Sequence, residues 1–209
     1  MPPRPQPPFP SVPFALLLVE GGDEQRLCEA LLGPTETHAR PTCFRRANGR
    51  AFEELAALVV KEPHWVHTTH VAIVLDAEEA PAASVDLAKR ALRVLGSRAA
   101  AAPGQLDGGR PAAGFFVLPS EAAHGAHETL LRQVAADGAR ARCADAFEAC
   151  TSVHHSTAAN RDKSWVQSYL AASSDGGLRT HDALAQQGWF DLGHTLLDPL
   201  RTFLRVLVR

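Results

Sequence analysis

The stretch Phe14-Ala15-Leu16-Leu17-Leu18-Val19-Glu20-Gly21-Gly22-Asp23 decides the fold. Its apolar residues follow one another without alternation, which is the pattern of a short strand buried on both faces in a parallel sheet; a half-exposed strand would alternate with polar residues. The run stops at Glu20-Gly21-Gly22, and a helix follows. Asp23 is placed to cap it, Glu24 favours its positive end, and Leu27, Ala30 and Leu31 recur at helical spacing up to Gly33-Pro34.

The same alternation continues outward. Thr42-Cys43-Phe44-Arg45 reads as a second strand, Asn48-Gly49 as a turn, and Phe52, Leu55, Leu58 and Val59 as a helix. Val71-Ala72-Ile73-Val74-Leu75 is another buried strand and ends at Asp76-Ala77-Glu78-Glu79, before a helix over residues 81–95 that stops at Gly96. Residues 97–113, rich in Ala, Gly and Pro, read as a loop, and Gly114-Phe115-Phe116-Val117-Leu118 as a strand ending at Pro119-Ser120-Glu121. The spacing then predicts helices over residues 126–136, 139–151, 158–172, 180–187 and 195–207. Strands alternating with helices imply right-handed crossovers. The expected fold is therefore α/β, a Rossmann-like central parallel sheet of about four strands flanked by helices. The last third, residues 138–209, is expected to be helical cover.

With 209 residues the chain is expected to form a single domain over residues 14–209, and the opening MPPRPQPPFPSVP a proline-rich lead-in, extended or disordered over residues 1–13. That opening lacks the apolar core of a signal peptide and no apolar run approaches the length that crosses a bilayer, so a cytoplasmic protein without membrane association is expected. The formal net charge of -2, with no Lys/Arg block, excludes the footprint of a protein that neutralises many phosphates along a duplex. Any nucleic-acid contact should be local or metal-mediated. Cys28, Cys43, Cys143 and Cys150 show no CxxC spacing, and buried, reduced thiols are expected. The chain has neither a GxSxG elbow around Ser120 nor a GxxxxGK[ST] loop. Tyr169, its one tyrosine, falls in the middle of a helix.

In open parallel sheets ligands bind beyond the carboxyl ends of the strands. Those ends carry Glu20, then Asp76 with Glu78 and Glu79, then Glu121 with Glu128 shortly after. Converging carboxylates raise one another's pKa unless a cation is present, and a hard divalent cation such as Mg²⁺ takes such oxygen ligands. An acid at a strand end also serves to cap the following helix, which is the plain reading of Glu24 or Glu79 taken alone. The histidines (His64, His67 and His70; His124 and His127; His154 and His155) lack companions at zinc spacing and are expected on solvated loops, with His127 singled out by its neighbour Glu128. Arg45, Arg46 and Arg50 are read as solvated, or alternatively as a phosphate-binding edge.

Val19-Glu20-Gly21-Gly22-Asp23-Glu24 after one apolar strand and Leu75-Asp76-Ala77-Glu78 after another resemble the two signature motifs of the Toprim domain, found in topoisomerases, primases, ribosomal-RNA maturases and nucleases of the overcoming-lysogenization-defect type. The Gly after Glu20 and the acid at Glu24 are closer to the nuclease branch. The chain also resembles the small stand-alone family DUF3226, through Asn48-Gly49, Pro119…Gly125-Ala126-His127-Glu128, Lys163-Ser164-Trp165 and Tyr169-Leu170-Ala171, over roughly residues 14–207. The resemblance implies Mg²⁺ (or Mn²⁺) bound by Asp76 and Glu78, with Glu20 as general acid/base or ligand and Glu24 as a further ligand. It implies that Glu128 is an accessory acid and that Lys163 contacts phosphate or developing charge. Asp76-Ala77-Glu78 departs from the usual Asp-x-Asp, and the longer Glu alters the ligand geometry. The activity implied is a nuclease acting on RNA or DNA. The alternative is a non-catalytic module bound to a partner protein, such as an ATPase of a defence system, and a homodimer is a further arrangement to test.

Overall fold

A computed structural model describes residues 8–33, 39–97, 102–151, 157–172, 178–186 and 188–209. Four strands form one sheet: β1 (Phe14–Val19), β2 (Thr42–Arg46), β3 (Thr68–Asp76) and β4 (Ala112–Leu118), in the order β2-β1-β3-β4 and parallel throughout. The helices between them are α1 (Gly22–Leu32), α2 (Phe52–Val59) and α3 (Pro81–Val94), and α4 (His127–Gln133), α5 (Gly138–Thr151), α6 (Ala158–Ala171), α7 (Thr180–Ala185) and α8 (Asp198–Val208) follow the last strand.

Every residue of β1 is buried, and its side chains divide between two cores. Ala15, Leu17 and Val19 pack with Ala72 and Val74 beneath α1, α4, α6 and α8, whereas Phe14, Leu16 and Leu18 pack with Val71, Ile73 and Leu75 beneath α2 and α3. An unbroken apolar run is what a central strand with helices on both faces requires. Tyr169 lies fully buried between Trp165 and Trp189, and its hydroxyl donates to the Trp189 carbonyl at 2.6 Å, which removes it from any surface chemistry.

Several elements differ from the sequence expectation. β3 begins at Thr68, so His70 lies in a strand rather than in a solvated loop. The expected helix over 126–136 ends at Gln133, because residues 134–136 pair antiparallel with 189–191: Asp191 N–H donates to Val134 O at 2.7 Å and Ala136 N–H to Trp189 O at 3.0 Å. Of the expected loop over 97–113, residues 98–101 lie outside the described residues and residues 104–107 fold against the sheet. Gly104 N–H donates to Phe115 O and Asp107 N–H to Ala113 O, with Leu106 bridged antiparallel to Gly114 along the outer side of β4. This approach depends on Gly114, where a Cβ would lie 2.1 Å from the Gln105 carbonyl oxygen.

Residues 1–7 of the proline-rich lead-in lie outside the described residues, but Phe9 is buried against Phe14, with the Arg45 guanidinium over its ring at 4.0 Å to the centroid. Arg45 is neither solvated nor a phosphate edge, because it is buried and makes a two-pronged bond to Glu62 at 2.8 and 3.0 Å. Of the cysteines, all free, Cys28 is buried, Cys43 is half-buried, and Cys143 and Cys150 are exposed on α5. The expectation of buried thiols fails there because α5 packs chiefly on α6, leaving Ala144 as its buried residue. No helix among the described residues is long and apolar enough to cross a membrane.

Candidate metal centre

The carboxyl edge of the sheet gathers its acids by register. Val19 pairs with Val74 on adjacent parallel strands, so the next residue after β1, Glu20, comes beside Asp76, the last residue of β3. Glu20 Oε1 accepts a hydrogen bond from the Asp76 N–H at 3.0 Å. Beyond Asp76 the chain turns through Glu78, whose φ of 50° lies in the left-handed region that non-glycine residues seldom occupy. A reciprocal pair of backbone bonds with Gly125, at 2.7 and 2.9 Å, holds it there and joins the end of β3 to the start of α4.

Two groups of potential ligand atoms result, each with its atoms within 4.8 Å of one another: Glu20, Asp76 and Glu78, and Glu24, Asp76 and His127. Asp76 belongs to both. The first group is all carboxylate and opens to solvent through Glu78; the second is buried. Glu24 has two tasks, since Oε2 accepts from the Gly21 N–H at 2.8 Å, closing the amino end of α1, and Oε1 lies 3.1 Å from His127 Nδ1.

His127 is the central hydrogen-bond donor of this edge. Its backbone N–H donates to Asp76 Oδ1 at 2.9 Å, and Nδ1 lies within 3.3 Å of Asp76 Oδ2 and of Glu128 Oε2 as well as near Glu24. Burial disfavours the charged imidazole, but the hydrogen bonds to Asp76 and Glu24 outweigh it, and the His127 pKa rises well above its ordinary value. The ring Nε2 is buried without a hydrogen-bond partner. The expectation of a solvated loop is thus overturned for His127, because the chain folds it under α4's first turn, whereas His124 is exposed and His154 and His155 lie outside the described residues. The adjacent acid at Glu128, just after Gly125, was the available signal in the sequence. The three carboxylates come from three separate segments, and the sequence does not display their meeting.

The acids divide electrostatically. Burial, then the nearby Asp76 charge, pushes Glu20 up to about 7. Burial also raises Asp76, Glu78 and Glu128 above the usual carboxylate range. Glu24 is likewise buried, yet its bond to His127 and that imidazolium's charge bring it below the usual range. Lys163, exposed on α6, lowers the pKa of both Glu78 and Glu128 through its charge. Glu79 and Glu121 are exposed and belong to neither ligand group. Arg46 ends β2 beside the amino terminus of α1 and donates to Gln25 Oε1 at 2.7 Å, and Arg50 is exposed in the following turn.

Neither a curated protein nor a solved structure matches the chain. A family match runs over residues 15–209, from the second residue of β1 through α8. The chain belongs to the family described as protein of unknown function, DUF3226.

Proposed function

We propose that the chain is a divalent-metal-dependent phosphodiester enzyme of Toprim type, a nuclease acting on RNA or DNA. The observation that carries this reading is the set of carboxylate oxygens from Glu20, Asp76 and Glu78, within 4.8 Å of one another at the carboxyl ends of two adjacent parallel strands. The donor set fits a hard cation. All three ligand atoms are oxygens, as Mg²⁺ or Mn²⁺ prefers, and the burial and like-charge repulsion that raise Glu20, Asp76 and Glu78 are offset by positive charge placed among them. Bound there, the cation supplies Lewis acidity toward a phosphoryl oxygen.

The chain's own groups have distinct tasks in this reading. Asp76 and Glu78 hold the cation, and the buried His127 imidazolium fixes Asp76 in place and balances Glu24 and Glu128. Glu24 is bound into the α1 cap and His127, so it acts on the outer group by orienting Asp76's surroundings or as a ligand in the inner group. Glu20, whose carboxylate lies with those of Asp76 and Glu78, serves as general acid/base or as a further ligand. Lys163, whose charge is felt by Glu78 and Glu128, is the group for charge developing on a phosphate. The test is hydrolysis of single- and double-stranded RNA and DNA in Mg²⁺ and in Mn²⁺, comparing wild type with Glu20→Gln and Asp76→Asn. Equal activity of all three folded proteins would defeat the proposal.

A second reading, a non-catalytic module carried by a partner such as an ATPase, is favoured by the net charge of -2 and by Phe147, which is 48% exposed on the outer face of α5. Purification of the native complex distinguishes the two. A stably bound ATPase, together with an isolated chain inert toward nucleic acid, supports the module.

A further inference from the structure

A cavity of about 1140 Å³ opens at the opposite end of the sheet, where Pro13 precedes β1, Arg40 precedes β2, Trp65 and His70 flank the start of β3, and Arg110 precedes β4. β3 runs from this cavity to the acidic edge, and at about 3.3 Å per residue its length keeps the two sites well apart.

The cavity's charge is one-sided. Among the described residues its lining includes Arg40, Arg110 and His70 and no aspartate or glutamate. The Arg40 guanidinium donates to Thr69 Oγ1 at 3.1 Å and meets the His70 ring. Thr69 is itself fixed, donating to the Phe14 carbonyl at 3.1 Å. Burial, then the charge of Arg40, holds the His70 imidazole below its ordinary pKa, so the ring stands neutral and accepts a hydrogen bond from the guanidinium. A guanidinium oriented by neutral acceptors keeps its full charge and further N–H donors for a ligand.

Arg110 is exposed and pairs with no acid among the described residues. Asp107 is the acid closest to it in sequence, and its carboxylate accepts from the backbone N–H groups of Gly109 and Ala113 at 3.1 and 2.7 Å, which binds it into the turn. Apart from Thr68, the other side chains of the wall are apolar. Trp65 is half-buried, Pro13 lies alongside, and Val66 is 81% exposed at the rim. Two guanidinium groups suit a dianion, and a partly exposed indole suits a planar ring.

We propose that this cavity is a binding site for a small phosphate monoester carrying a planar ring, a mononucleotide being the class that meets both demands. Its phosphate lies between Arg40 and Arg110, and its base lies against Trp65. The site is separate from the acidic edge and does not depend on the nuclease reading.

The full chain, in EDTA so that no divalent cation is held at the acidic edge, is titrated by calorimetry with the four ribonucleoside 5′-monophosphates, the matching nucleosides and inorganic phosphate. Saturable binding of at least one monophosphate is expected, with its nucleoside and inorganic phosphate each about tenfold weaker or more. Arg110→Gln, at an exposed position, and Arg40→Gln each weaken binding by about tenfold, and Glu20→Gln leaves it unchanged. Failure of every monophosphate to bind, or wild-type affinity in the folded Arg110→Gln variant, would overturn the assignment. Equal affinity for inorganic phosphate would overturn the role given to Trp65.

Discussion

The carboxylate of Glu20 accepts a hydrogen bond from the backbone N–H of Asp76 at 3.0 Å, so the acid that follows β1 is oriented by the peptide bearing the acid that ends β3. This bond needs an acceptor and no charge, and Glu20→Gln can keep it through the amide oxygen. The substitution therefore separates proton chemistry from architecture.

The pKa of Glu20, about 7 against an ordinary 4.5, dictates a pH dependence. The folded chain holds this proton at pH values where the unfolded chain has lost it, so stability falls as pH rises through the window between 4.5 and about 7. The raised His127 pKa acts in the same direction above its ordinary 6.5, since the stability gained from the imidazolium is lost as pH rises through the folded value. The metal-free protein should melt at progressively lower temperature from about pH 5 to about pH 8, and the lower part of this slope should flatten in Glu20→Gln. A melting temperature that rises across the range would contradict the proposed protonation states.

Cation binding should follow the opposite course. The carboxylates must release protons to ligate, so Mn²⁺ affinity should increase by about tenfold per pH unit below the Glu20 pKa and level off above it. Calorimetric titration at several pH values measures this. Asp76→Asn, which strikes the residue shared by both ligand groups, should abolish the binding heat.

Asp76→Asn should nevertheless leave the metal-free fold as stable as wild type or make it slightly more stable. Its carboxylate is buried and its pKa raised, so the ionised form opposes folding, and Asn Oδ1 can still accept the His127 N–H. A large fall in melting temperature would show that the charge opposite His127 is structural.

His127→Ala should be costly, because it leaves Glu24, Asp76 and Glu128 buried together without their cation. A loss of about 3–5 kcal/mol in chemical denaturation is expected, partly restored by millimolar Mg²⁺ or Mn²⁺. A loss below about 1 kcal/mol would mean that the acids are neutral in the folded chain.

Gly125→Ala tests how the loop before α4 holds Glu78. The residue has φ 131°, and an added Cβ would lie 2.3 Å from Thr129 Oγ1, the atom that accepts from the Ala126 N–H and donates to Asp162. Destabilisation of about 1–3 kcal/mol is expected, with Mn²⁺ affinity reduced as Glu78 shifts. Adding Thr129→Ala should relieve the clash but not the backbone strain, and full recovery in the double variant would show that the conformation at 125 imposes no cost.

The central sheet could be read from short-range pattern alone. Phe14–Val19 and Val71–Leu75 are apolar without alternation because both are inner strands covered on two faces, and parallel order then sets Glu20 beside Asp76. Features that depend on distant partners could not be read in that way. His127 takes its place from Glu24 and Asp76, each more than fifty residues away; Arg45 is buried by Glu62 and Phe9; and the helix after Gly125 ends early because Phe190 pairs with Ala135. Periodicity reports what one segment prefers, whereas these outcomes record which other segment arrived beside it.

The antiparallel bracket that residues 104–107 lay along β4 covers residues 113–115 of that outer strand. A peptide or second copy that adds a strand beside β4 would meet this bracket, which stays in place for as long as residue 114 has no side chain. A methyl group at that position would press on the Gln105 carbonyl and loosen the bracket, freeing the Ala113 and Phe115 carbonyls as acceptors for another strand.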